Sequence, residues 1–192
     1  MRQMSNRDNS DTTTFDDALG DELILVDVLD REIGTLDKLA CHQQGLLHRA
    51  FSVFLYQGDK ILIQRRAHGK YHSGGLWANA CCSHPRAGET LEQAVPRRLL
   101  DELGATARDI REVGFYVYRH DFDNGLVEHE YDHVFVGELE GEASANPDEI
   151  DELRWIGFDE LVDELREKPE QFAAWFEGVC AIALPVLVDL LT

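Results

Sequence analysis

The side chains able to do chemistry in this sequence gather around two short runs. Glu128 and Glu130 stand two apart in a segment that alternates apolar and polar residues, so in a strand both point to one face and His129 to the other. Cys82 and His84 share a face in the same way if residues 80–84 are extended, which leaves Cys81 and Ser83 on the opposite side. All eight histidines fall between His42 and His133. Imidazoles and carboxylates on converging elements form a mixed nitrogen–oxygen donor set, which suits Mg²⁺, Mn²⁺ or Zn²⁺ better than it suits a soft thiolate metal. A Cys-x-His pair also occurs in zinc knuckles, but no second pair stands at finger spacing.

Charge narrows the substrate. The chain carries a net −19 over 192 residues, yet residues 60–98 hold seven basic side chains (Lys60, Arg65, Arg66, Lys70, Arg86, Arg97 and Arg98) against two acidic ones. Lys60 and Arg86 read as a solvated face. A cation cluster kept in so acidic a chain is expected to meet an anion, because arginine offers a planar fork to phosphate oxygens and lysine a point charge. The acidic remainder repels a long polyanion or an anionic lipid surface, so a small phosphorylated molecule is the expected partner, with no nucleic acid and no membrane. Residues 138–170, with 13 acids and three bases, read as solvated. Scarce lysine beside abundant acid resembles salt-adapted composition. The four cysteines do not form a disulfide framework, and Cys41 and Cys180 read as small core residues. No signal segment or span-length apolar run is present, which points to a reducing cytoplasm.

Residues 1–21 read as a flexible polar tail and residues 22–192 as a single domain. A β-rich run over 22–29 and a turn over 30–34 predict an N-terminal hairpin. A second hairpin is expected around residues 57–59, and a third around Asp123, Asn124 and Gly125, with strands over 113–120 and 126–140. Thr90 and Gln93 form a capping box that opens a helix with leucines at four-residue spacing, closed by Gly104 and interrupted by Pro96. A short strand ending at Trp155 follows, then a helix from Phe158, then after Pro169 an apolar helix carrying Trp175. Strands and helices mix without βαβ regularity, so the class is α+β.

Five motifs in register, LWANACCSHP (76–85), VEHEY (127–131), GTLDKLACH (34–42), RRA (65–67) and DELG (101–104), resemble type I isopentenyl diphosphate isomerase. The resemblance runs from about Leu23 to Trp175. It implies a Nudix fold, a mixed sheet sandwiched between helices with an N-terminal hairpin extension. A degenerate Nudix box is legible in Glu89, Arg97, Leu99, Asp101, Glu102 and Gly104. Ser83 stands where the box has its first glycine and Arg98 where it has a central glutamate, which argues against pyrophosphate hydrolysis. The resemblance implies one divalent ion (Mn²⁺, Mg²⁺ or Zn²⁺) on His42, His48, His84, Glu128 and Glu130. It implies a second, Mg²⁺, on Glu102 and the main-chain carbonyl of Cys82, touching the diphosphate. Lys38, Arg66, Lys70 and Arg98 would grip phosphate. Cys82 and Glu130 would flank the double bond, with Tyr118 beside Glu130 and Trp175 over the reacting carbon. Cations around Cys82 would let its thiol titrate near neutrality. His68, His72, His120 and His133 read as surface or supporting residues, with His72 near enough to Lys70 to touch phosphate. Hydrolysis of a small diphosphate compound is the alternative activity, and a non-catalytic acidic module the alternative outside enzymes.

Overall fold

The computed structural model describes residues 22–191 apart from Tyr71, so the tail expected over residues 1–21 lies outside the described residues. β1 (Glu22–Val26) and β2 (Glu32–Asp37) form the expected antiparallel hairpin. Its turn is held by the Asp27 carboxylate, which accepts from the backbone N–H groups of Leu29 and Arg31 and from the Arg31 guanidinium. α1 (Lys38–Gln44) follows at once, capped where Asp37 Oδ1 accepts from the Ala40 N–H at 3.0 Å. Gly45 ends it at φ 62°, where a Cβ would also stand 2.6 Å from the Arg119 guanidinium.

β3 (His48–Gln57) and β4 (Lys60–Arg66) form the second hairpin, followed by the short β5 (Trp77–Asn79) and β6 (Cys81–Ser83). α2 (Leu91–Leu103), β7 (Thr106–Asp121), β8 (Val127–Glu140), β9 (Ile150–Gly157), α3 (Phe158–Glu167) and α4 (Phe176–Leu191) complete the chain. Among the described residues, nine strands form one mixed sheet in which β3 runs parallel to β8 and antiparallel to β4 and β6. Alternation along β3 splits the core into two layers. Phe51, Val53 and Leu55 pack with Val95, Leu99 and Leu103 of α2. Phe54 packs on the other face with Phe176, Val179 and Leu187 of α4 and Leu161 of α3. The α+β sandwich is as expected.

Three boundaries differ. β7 begins at Thr106, well before residue 113, because register shifts between Arg108 and Arg111 and between Glu112 and Gly114 break the two-residue alternation that marks a strand. β9 continues two residues past Trp155. Trp175 stands in the turn before α4 rather than inside it: the Ala173 N–H is drawn to the Trp77 carbonyl, and the Trp175 carbonyl accepts from the Val179 N–H. The capping box forms as expected, and α2 runs unbroken through Pro96. Pro96 and Glu92 are exposed, so the carbonyl that proline leaves without its helical donor lies on the solvent side of the helix.

Exposed acids such as Asp148, Asp151 and Glu152 repel one another at low ionic strength. The melting temperature is therefore expected to climb steeply between low and molar KCl, where the Debye length falls to ~3 Å, while turnover per folded molecule stays nearly constant. A thermal melt flat across that range would remove the salt-adapted reading.

Candidate active site

Sheet register builds the site. Glu130 on β8 is the lateral neighbour of His48 on β3 and of Tyr118 on β7, and lateral neighbours in a sheet point to the same face. The Tyr118 hydroxyl donates to Glu130 Oε2 at 2.7 Å. On the other carboxylate oxygen, His84 Nε2 lies at 2.9 Å and His48 Nε2 at 3.7 Å. Two residues earlier on the same face, Glu128 Oε1 lies 3.0 Å from His42 Nε2 and 2.5 Å from His72 Nε2. His129 points away, with Nδ1 3.0 Å from the Gly45 carbonyl.

Ligand atoms of His42, His48, His84 and Glu128 all lie within 4.8 Å of one another, with Glu130 against two of the imidazoles. The tautomers are set from behind. His42 Nδ1 donates to the Lys38 carbonyl at 2.6 Å and His48 Nδ1 to the Leu46 carbonyl at 2.9 Å, which turns both Nε2 lone pairs into the cluster. There they face carboxylate oxygens in a buried setting, an arrangement that a bound cation reverses from repulsion to attraction. The donor set therefore fits a divalent ion, with imidazole and carboxylate ligands of the kind such ions take.

Beside the cluster opens a cleft with a cavity of about 90 Å³. Lys38, Arg66, Lys70 and Arg98 line it, together with Cys82, Tyr118, Glu130 and Trp175, so the residues expected to touch substrate meet in one place. β6 and β8 both pair with β3, which brings Cys82 and Glu130 in on different strands. The half-buried Cys82 donates its S–H to Asn79 Oδ1 at 2.9 Å. Burial pushes this thiol up, and the opposing charge of Arg66 does not reverse it. The shift runs opposite to the expected lowering toward neutrality. The Arg66 guanidinium lies 5.1 Å from the centre of the Trp175 ring.

The basic segment divides in two. Lys60 is exposed at the start of β4, and Arg65 pairs with Glu152 at 3.0 Å, both apart from the cleft. Arg86 is exposed, as expected, and also lines the cleft. Arg97 forks onto Glu89, with both contacts at 2.7 Å. Arg98 bridges Glu102 at 2.7 Å and Glu149 at 3.1 Å, and Lys70 also contacts Glu149. Burial alone would raise the Glu149 carboxyl, but Lys70 and Arg98 hold it down at about 2. Glu149 belongs to an acidic run that reads as solvated; it is buried because the chain turns inward just before β9, where the Ala67 N–H bonds to its carbonyl. Glu102 is buried beneath Arg98 and stands outside the imidazole cluster.

Three residues of the site carry little signal in the sequence. His72 reads as peripheral, yet it is buried on Glu128; its nearness to Lys70 is the one local hint. Glu149 is hidden among neighbouring acids. Asn79 sits inside a motif whose Cys82 and His84 hold the obvious chemistry.

One mixed sheet between helices, with a cationic cleft beside a buried imidazole–carboxylate cluster, is the frame that comparison with known proteins identifies as a NUDIX domain. The NUDIX domain family matches residues 46–176. Solved structures agree on the fold: the DR0079 protein of Deinococcus radiodurans superposes with a TM-score of 0.66 at 18% identity, covering 84% of this chain and 98% of that one. A MutT NUDIX hydrolase from Burkholderia pseudomallei does so with 0.58 at 20% identity, covering 71% of this chain and 97% of that one. Among curated proteins, isopentenyl-diphosphate Delta-isomerase 2 of Aromatoleum aromaticum is 46% identical over 156 residues, 81% of this chain and 82% of its own length. Isopentenyl-diphosphate Delta-isomerase of Burkholderia multivorans is 46% identical over 169 residues, 87% of this chain and 96% of its own length. The chain belongs to the NUDIX family and, within it, to the type I isopentenyl-diphosphate Delta-isomerases.

Proposed function

We propose that this protein interconverts isopentenyl diphosphate and dimethylallyl diphosphate by moving one double bond with a pair of proton transfers. The observation that carries this reading is the placement of Cys82 and Glu130, two groups able to exchange protons, on separate strands of one cleft whose cations include Lys38, Arg66, Lys70 and Arg98. Shifting the double bond from the 3,4 to the 2,3 position adds a proton at C4 and removes one from C2, so atoms and charge balance without a co-reactant. Cys82 and Glu130 each exchange one of those protons, and the Tyr118 hydroxyl holds the Glu130 carboxylate in place. Trp175 offers a π face to the tertiary cation that forms between the two transfers, a contribution of ~1–2 kcal/mol in a dry site. Lys38, Arg66, Lys70 and Arg98 hold the diphosphate, which must stay attached while the allylic product forms.

We assign a divalent ion to His42, His48, His84, Glu128 and Glu130, and Mg²⁺ arriving with the diphosphate to the neighbourhood of Glu102 and the Cys82 carbonyl. When bound, these ions would supply charge that orders the carboxylates and offsets the phosphates. We place the reaction in the cytoplasm, on the strength of four free cysteines. Among the described residues no helix is long and apolar enough to cross a membrane. Hydrolysis is not favoured: α2 presents the cations Arg97 and Arg98, with Arg98 where a hydrolase would need a carboxylate.

Deuterium entry from heavy water into isopentenyl diphosphate, in the presence of Mg²⁺, tests the reading. Phosphate release without deuterium exchange would replace it with hydrolysis. At the anionic end, Arg66→Ala, Lys70→Ala and Arg98→Ala are each expected to raise KM about tenfold or more, as loss of a charge-assisted bond does, with smaller effects on kcat. Lys60→Ala should be neutral. Unchanged KM in all three cleft variants would make these cations mere surface charge.

A further inference from the structure

We infer that Asn79 is a positioning residue that fixes the Cys82 thiol and the Trp175 indole to each other through its single side-chain oxygen. The inference rests on the isomerase reading for its kinetic consequence and on geometry for the rest. Asn79 is fully buried at the end of β5. Its Nδ2 donates to the carbonyl of Cys81 at 2.7 Å and to that of Val53 at 3.3 Å. Its Oδ1 accepts from Cys82 Sγ at 2.9 Å and from Trp175 Nε1 at 3.3 Å.

The amide can sit only this way round. Turned over, its NH₂ would meet the indole N–H and its oxygen would meet two main-chain carbonyls, so three attractions become repulsions, and the thiol could keep its contact only by turning its weakly accepting sulfur to the NH₂. Main-chain carbonyls of β3 and β6 thus dictate where Oδ1 points, and Oδ1 dictates where the thiol and the indole point. The two side chains it joins are remote in sequence, one on β6 and the other in the turn before α4. That turn is tied to β5 a second time, where the Ala173 N–H bonds to the Trp77 carbonyl at 2.9 Å. β5 therefore clamps the turn at both ends, and the Trp175 ring is set before substrate arrives. Setting the proton-exchanging group and the cation-facing ring in advance acts on the chemical step, whereas the phosphate-gripping cations set binding.

The test is Asn79→Ala, with wild type run alongside in the deuterium assay. We expect kcat to fall about 10²-fold with KM changed less than about threefold, because a misplaced group costs rate while the diphosphate contacts are untouched. In ¹⁵N-labelled protein the indole N–H resonance of Trp175, assigned with Trp175→Phe, should shift, while those of Trp77 and Trp155 stay in place. Wild-type kcat in a folded Asn79→Ala protein, or an unmoved Trp175 resonance, overturns the inference, since bracing β5 alone would lower only the melting temperature. Should that variant fail to fold, wild type alone decides: a Trp175 indole proton exchanging with water as fast as a free indole overturns the contact, and strong protection supports it. Failure of wild type to exchange deuterium would instead remove the isomerase reading, with the indole measurements still deciding Asn79.

Discussion

Cys82→Ala is expected to lose isomerisation by at least ~10³-fold, within the range that positioned acid–base groups contribute, while Cys81→Ala keeps it. The two cysteines are neighbours in sequence and opposites in setting. Cys81 is buried in the core layer under α2, among Ala94, Val95 and Leu99, where a thiol acts as a small apolar filler. Its removal leaves a small cavity that costs on the order of 1 kcal/mol and lowers the melting temperature by a few degrees. Cys82 faces the opposite way into the cleft, and its S–H is held on Asn79. Glu130→Gln should match Cys82→Ala, because an amide cannot exchange the proton and disturbs the contacts to His84 and Tyr118. Initial rates of allylic product formation, with circular dichroism to confirm folding, check all three. Equal losses in the Cys81 and Cys82 variants would sink the assignment of Cys82.

His84→Ala and Glu128→Ala should each strip the bound divalent ion from purified protein, lowering metal affinity by at least ~100-fold. Each removes a ligand from a cluster whose donor atoms lie within 4.8 Å of one another. The loss also reaches stability. A bound ion would offset the mutual repulsion of buried Glu128 and Glu130, and a ligand present at a hundred times its Kd stabilises the fold by ~2.7 kcal/mol. Chelation should accordingly lower the wild-type melting temperature by several degrees and leave that of His84→Ala almost unchanged. Elemental analysis and paired thermal melts are the measurements. Full occupancy in both variants would count decisively against the site.

Much of this site is legible in the order of its residues. The alternation around 127–131 puts Glu128 and Glu130 on one face and His129 on the other, and the same rule separates Cys82 from Cys81. The capping box at Thr90 and the turn at Gly125 are equally local, and both form. Such features are readable because they depend on backbone periods and on contacts a few residues long. The roles of His42, His48 and the cleft cations follow from the resemblance of whole motifs to a family rather than from those periods.

Periodicity does not report which elements converge. Glu149 looks like its acidic neighbours; the approach of Lys70 from the turn after β4 and of Arg98 from α2 makes it a buried counter-charge. Trp175 follows an apolar helical pattern, yet the bond from Ala173 to Trp77 stops the helix short of it and leaves the indole facing Asn79. Burial pushes the Cys82 thiol up against the pull of the nearby positive charge, a balance set by what packs around it. Which face a side chain takes is a property of a few adjacent residues. Whether a polar group there is solvated, paired or held against a distant partner is settled by contacts that cross the whole fold.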